Sequence, residues 1–179
     1  MLDTKKCPRS IDTAFGHSYH RLSVSRNRVF LSYAREDIVW KEKVVRHLNV
    51  LAKQDLIEIW DDRRVDAGED WQEQILRAID SARLAVPLIS AHLLGSDVIL
   101  NTELPRIRER HRTGELAVVP VIVHPCAWRA VSWLSRLQVH PWDAKPLSAR
   151  REHRQEAELA AIAEEVLTIL RGTRAGRRS

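Results

Sequence analysis

The 179 residues are 44% hydrophobic and 30% charged, which suits one globular domain with a real core and is too little chain for two large ones. No apolar run approaches the roughly 18 residues that a membrane helix needs, and no continuous apolar stretch accompanies the basic N-terminal residues, so neither a spanning helix nor a secretory signal is expected. Of the net charge of +5, residues 1–28 and 171–179 each hold an excess of four positive charges, which leaves the middle acidic, without the basic patch that nucleic-acid binding requires.

Residues 1–26 are polar and show no period of 2 or 3.6, so they read as a flexible leader. From Arg28 the pattern changes: Val29-Phe30-Leu31 is a short apolar run rich in strand formers, the mark of a strand covered on both faces. Trp40, Val44, Leu48 and Leu51 then recur at helical spacing as one apolar stripe. Asp55–Trp60 reads as a second strand, and Asp61–Asp70 as a charged loop ending at a helix N-cap, Asp70, with Glu73 as its capping-box partner. Trp71, Ile75, Ile79 and Ala82 form the next stripe. Leu84–Ser90 is a third strand, in which Pro87 removes a ladder donor and points to an edge or a bulge.

Leu93–Arg112 reads as loop plus helix, and Leu116–Val123 as a fourth strand. Residues 124–150 are irregular, with room for a short strand near Leu137–Val139, before Leu159, Ile162, Ala163, Val166 and Leu170 line up as a closing amphipathic helix. Strands alternating with helices imply a parallel sheet with helices on both faces. In such sheets ligands bind at the carboxyl ends of the strands, here Ser32-Tyr33, Trp60-Asp61-Asp62, Ser90 and the segment after Val123.

The familiar phosphate and nucleophile signatures are missing: no Gly-rich fingerprint follows the first strand, and there is no Walker-type Gly-Lys-Ser/Thr and no Gly-x-Ser-x-Gly elbow. His92, His111, His124 and His140 do not fall at zinc spacings, so no metal is expected. Cys7 and Cys126 are too far apart in sequence for a disulfide framework and fit a reducing cytosol. What remains at the strand ends is carboxylates, hydroxyls and aromatics.

Four segments, taken in order, resemble the Toll/interleukin-1 receptor (TIR) domain family in its bacterial form. They are Phe30-Leu-Ser-Tyr-Ala-Arg-Glu-Asp37 with Trp40; Ile59-Trp-Asp-Asp-Arg-Arg-Val-Asp-Ala-Gly-Glu-Asp-Trp71; Leu88-Ile-Ser90 with Leu94, Ser96, Asp97 and Glu103-Leu-Pro105; and Val119-Pro-Val-Ile-Val-His-Pro-Cys-Ala-Trp128. The resemblance implies a flavodoxin-like three-layer sandwich with a five-stranded parallel sheet, a TIR domain over residues 27–171, and a basic flexible tail or linker over 172–179.

The family's enzymatic members cleave the nicotinamide–ribose bond of NAD+, and the resemblance makes Glu103 the catalytic carboxylate. It further implies that Ser32, Tyr33, Trp60, Asp62, Arg63, Trp71, Ser90 and Asp97 contact the substrate, that NAD+ is a substrate with no cofactor needed, and that Asp61–Asp70 gates the pocket and docks on a neighbouring domain. Activation by TIR–TIR assembly, a fused or separate sensor domain, a cytoplasmic setting and a role in bacterial antiphage defence belong to the same expectation. Many enzymatic members carry an aromatic residue shortly before the glutamate, where this chain has Val98.

Each residue also has a plainer reading. Glu103 suits a solvated helix position paired with Arg106 three residues on; Trp60 and Trp71 suit the core; the charged loop suits a solvated turn, in which Arg63 pairs with Asp61 or Asp66. Two rival functions stand beside the glycohydrolase: a non-catalytic TIR interaction module, which has no need of Glu103, and a nucleoside-processing enzyme that transfers a sugar between bases.

Overall fold

The computed structural model describes residues 27–60 and 71–175. Their centre is a five-stranded, all-parallel sheet formed by β1 (Asn27–Ser32), β2 (Ile57–Trp60), β3 (Leu84–Ile89), β4 (Ala117–Val118) and β5 (Val121–Ile122), in the order β2-β1-β3-β4 with β5 also on β3. Parallel neighbours need crossovers, and these are helical. They comprise α1 (Ile38–Lys53), α2 (Trp71–Ser81), the short α3 (Ala91–Gly95) and α4 (Leu104–Arg112), and α5 (Glu152–Ala175) closes the chain. The result is a flavodoxin-like α/β sandwich of three layers.

Side chains alternate across a strand, and β1 sorts them cleanly. Val29, Leu31 and the half-buried Tyr33 face one core, with Trp40, Val44 and Leu48 of α1 and Leu159, Ile162, Val166 and Leu170 of α5. Phe30 and Ala34 face the other, with Ile75 and Ile79 of α2, Leu93 of α3, and Leu104 and Ile107 of α4. Of the three helical stripes read from the sequence, that on α5 is wholly buried, that on α1 is buried but for the half-buried Leu51, and that on α2 is buried but for the exposed Trp71. Gly114, at φ +74°, accepts the left-handed turn that ends α4.

Pro87 departs from expectation, because β3 is an interior strand with Pro87 in register with Ser32 of β1. The carbonyls of Ala85 and Ile89 accept from Val119 and Val123, so by alternation Pro87 turns its missing N–H toward the same neighbour. The ladder is broken at that point: β4 ends at Val118, β5 begins at Val121, and Pro120 lies between them. The fourth strand read as Leu116–Val123 is therefore two short pieces.

The short strand read near Leu137–Val139 reduces to a single parallel bridge between Val121 and His140. Leu134–Arg136 is instead a 3₁₀ turn, and only the backbone of His140 reaches the sheet, exchanging bonds with Pro120 O and Ile122 N. The boundary drawn at 171 falls inside α5, since a packed helix adds one hydrogen bond per further residue and Gly172 costs it only about 1 kcal/mol.

Candidate functional site

A cleft of about 570 Å³ opens at the carboxyl ends of β1 and β2, within the range of roughly 300–1,000 Å³ usual for small-molecule sites. Phe30 and Leu31 of β1, Tyr33, Trp60, Ile75, Val98 and Ile99 give it apolar walls; Arg35, Glu36, His92 and Ser96 add polar groups, and Trp71 stands at its side. The chain runs from β1 out to β2 and then crosses to β3 on the other flank of β1. That reversal leaves a crevice above β1, where ligands bind in open α/β sheets.

Glu103 lines this cleft. It ends a π-helical turn, Ile99–Glu103, that leads directly into α4 with Pro105 in the first turn. Such wide turns concentrate at functional sites. The residue is only 6% exposed, and a buried carboxylate is costly unless hydrogen-bonded. Ser32 Oγ, at the end of β1, donates to Glu103 Oε2 at 2.7 Å. Arg106 does not pair with it: its Nε donates to Asp80 Oδ1 at 2.6 Å, and this hydrogen bond raises the guanidinium pKa further. The reading of Glu103 as a solvated glutamate paired with Arg106 is thereby set aside.

A second serine–carboxylate pair lies beneath the neighbouring strand end. Ser90 Oγ donates to Asp37 Oδ2 at 2.5 Å and accepts from the backbone N–H of Leu93, so it also caps α3. Both residues are buried. Among the described residues Asp37 Oδ1 has no hydrogen-bond partner; it faces His124 Nε2 at 3.9 Å, while Trp40 Nε1 donates to that same nitrogen at 3.0 Å. Cys126 is beside this group, where burial first and the Asp37 charge second push its thiol pKa up.

The structure brings Tyr33, Trp60, Trp71 and Glu103 together on the cleft. Trp60 stacks on Phe30 with ring centroids 5.2 Å apart, and Trp71 is 41% exposed, so neither is simply core. Ser32 touches Glu103 but does not line the cleft. Ser90 is away from the cleft, its hydroxyl taken up by Asp37 and by the helix cap. Asp97 is exposed and also outside the lining, to which its neighbours Val98 and Ile99 contribute instead. Asp62, Arg63 and the N-cap Asp70 lie outside the described residues.

Sequence reasoning missed Arg35, Glu36, His92 and Ser96 on the cleft, although Arg35 and Glu36 come two and three residues after Tyr33 in a segment that carried the resemblance. Among the described residues, no group of three or more His, Cys, Asp or Glu could hold a metal ion, and no helix is long and apolar enough to cross a membrane.

A model of the TIR domain family matches residues 29–162. An uncharacterized protein, y4lF of Sinorhizobium fredii (strain NBRC 101917 / NGR234), is 35% identical over 120 residues, which is 67% of this chain and 37% of that protein. The chain thus spans little more than a third of that relative's length. Among solved structures, the TIR domain of the Toll-related receptor TRR-2 from Hydra magnipapillata superposes with a TM-score of 0.54 at 16% identity, covering 77% of this chain and 96% of that one. The TIR domains of the activated Roq1 resistosome, which directly recognises the pathogen effector XopQ, give 0.47 at 28% identity, covering 77% and 84%.

Proposed function

The chain belongs to the TIR domain family, and from that premise we propose that it is an NAD+ glycohydrolase with Glu103 as its catalytic carboxylate. One observation carries this reading: a buried glutamate, held by a serine hydroxyl, lines a cleft of about 570 Å³ at the carboxyl ends of the strands.

The chemistry asks for little more. The nicotinamide of NAD+ already bears a positive charge, so it departs neutral with the electron pair of the C–N bond and needs no general acid. The ribose left behind becomes oxocarbenium-like, and a fixed carboxylate beside it stabilises the developing cation. Water then adds to that carbon, giving ADP-ribose and a proton; capture by a nitrogen of the adenine ring would give a cyclic product. Trp60, Trp71 and Tyr33 offer aromatic faces for the bases. Arg35 and His92 supply polar contacts on the same cleft, and Arg35 can meet a diphosphate through its planar fork.

Activation by assembly of several copies, in the cytoplasm and in bacterial antiphage defence, is the setting that the family resemblance supports. A sensor domain, fused or separate, would supply the trigger. The test is to incubate protein with NAD+ across a dilution series of roughly two decades, enough to cross a micromolar association, and to separate the products. Nicotinamide should appear together with ADP-ribose or its cyclic form, at a specific activity that rises with protein concentration. No nicotinamide from concentrated protein would overturn the reading in favour of a non-catalytic interaction module.

A further inference from the structure

Resting on the glycohydrolase reading, we propose that Ser32 is a positioning residue: its hydroxyl fixes the Glu103 carboxylate in place rather than binding substrate. Strand alternation puts Phe30, Ser32 and Ala34 on one face of β1, and the two apolar members pack among Ile99, Leu104 and Ile107. Ser32 is the one polar side chain of that trio, and Glu103 is its partner, 2.7 Å away.

Ser32 is 1% exposed. A serine hydroxyl has a single proton to donate, and here it is committed to Oε2. The donor is also rigidly mounted: β1 is flanked by β2 and β3, and Ser32 is in register with Pro87. The π turn brings the acid to meet it, 71 residues further along the chain.

Two consequences follow from one bond. A donor to the ionised form favours that form, so the hydroxyl keeps Glu103 charged to lower pH. A fixed contact also removes rotamer freedom from a long side chain that must meet a short-lived cation in one orientation. At a pH where Glu103 is ionised with or without the hydroxyl, its charge toward ground-state NAD+ is unchanged, and only its fixed orientation is lost. The signature of a positioning role is therefore a loss in kcat at near-constant KM.

The test compares the unmodified protein with Ser32→Ala, Ser32→Cys and Ser32→Thr, each at a protein concentration that saturates activity. Ser32→Ala should lower kcat about tenfold, leave KM within about twofold, and move the acid limb of the pH–rate profile upward by about one unit, the scale of a lost charge-assisted hydrogen bond. Tyr33, Arg35, Glu36 and His92 share the cleft with Glu103 and are identical in all four proteins, so a displaced limb reports the hydroxyl alone. Ser32→Thr, which keeps the O–H on a strand-favouring frame, should recover most of kcat.

Ser32→Cys, a weak donor of similar size, should fall between the two and covers the case in which alanine does not fold. A raised KM with unchanged kcat would overturn the proposal in favour of substrate binding. A lowered melting point with an unmoved acid limb would overturn it in favour of packing alone. A ¹³C titration of the Glu103 carboxyl, identified by its absence in Glu103→Gln, separates this inference from the one beneath it. If the unmodified protein releases no nicotinamide, the glycohydrolase reading fails. Should that carboxyl titrate at the same pH with and without the Ser32 hydroxyl, the positioning role fails whether or not NAD+ is cleaved.

Discussion

Two strand ends of this molecule carry the same chemistry and do different things with it. At the end of β1 a serine donates to a glutamate that lines an open cleft; at the end of β3 a serine donates to an aspartate that is sealed in the interior. The distances differ little, at 2.7 and 2.5 Å. The surroundings differ throughout. Glu103 has aromatic walls and a polar rim in front of it, whereas Asp37 has Trp40, His124 and Cys126 around it, and its serine is also occupied by a helix cap. The contrast teaches that a hydrogen-bonded carboxylate is not in itself a reactive one. Access to the cleft marks the first pair as the candidate for chemistry, whereas the second, without such access, ties together β3, α1 and α3.

The contrast is broken most readily at Glu103. Glu103→Gln keeps an acceptor for Ser32 but loses the charge, and should cut NAD+ cleavage by about 10²-fold while the melting point moves by less than ~3 °C, the equivalent of about 1 kcal/mol at this chain length. Glu109 serves as the control: it is on α4, into which the Glu103 turn leads, is exposed, and is held below the usual carboxylate pKa by the hydrogen bonds it accepts from Arg112, so Glu109→Gln should leave turnover unchanged. Nicotinamide release and melting curves on both variants decide the matter; a folded, fully active Glu103→Gln protein ends the catalytic assignment.

Ser90→Ala should show the opposite pattern. It leaves Asp37 buried without its donor and α3 without its cap, a cost of about 2 kcal/mol, which lowers the melting point by roughly 4–8 °C. Turnover per folded molecule should stay within about twofold. Lost turnover with an intact melting point would mean that the sealed pair takes part in the reaction after all.

Trp71 refines the description of the open side. It is 41% exposed on the cleft, so Trp71→Ala should raise KM about fivefold, an effect of about 1 kcal/mol in binding, with almost no change in melting point. A falling melting point at constant KM would return Trp71 to a packing role. The smallest effect concerns the sealed side. Because burial and the Asp37 charge raise the Cys126 thiol pKa, less of it is thiolate at pH 8 and alkylation should run several-fold slower than for free cysteine. The measurement is iodoacetamide labelling of a Cys7→Ser variant, and labelling at the rate of free cysteine would show that this region is open.

The same contrast marks what sequence could and could not convey. Periodicity is local, so the stripes of Trp40, Val44 and Leu48 and of Leu159, Ile162, Val166 and Leu170 were readable, and with them the alternation that specifies a parallel sheet. Glu103, Tyr33, Trp60 and Trp71 were found because their segments resemble a known family. Ser32 and Ser90 looked alike, each a hydroxyl at the end of a buried strand. What separates them is the partner, 71 residues away in one case and 53 in the other, and no local pattern encodes such a pairing. Lys41, fully buried with its ammonium 5.2 Å from the centre of the Tyr33 ring, was hidden for the same reason: composition assigns a lysine to water. The π turn that delivers Glu103 has no residue signature comparable to a proline or a cap.

The interruption at Pro87 and Pro120 bears on how the edge of this sheet meets other chains. An outer strand with free backbone groups is a template on which another chain can add, and proteins blunt it with short strands, proline and covering segments. This edge has all of these: β4 and β5 are two residues each, Pro120 offers no donor, and the bonds that Pro120 and Ile122 could give to a stranger are already made with His140. Under the proposed function copies of the chain assemble, and a blunted edge lets them do so without fusing sheet to sheet into a fibre. Around Pro120 and Ile122 it is side chains rather than open backbone groups that this flank presents, and contacts of that kind come apart again.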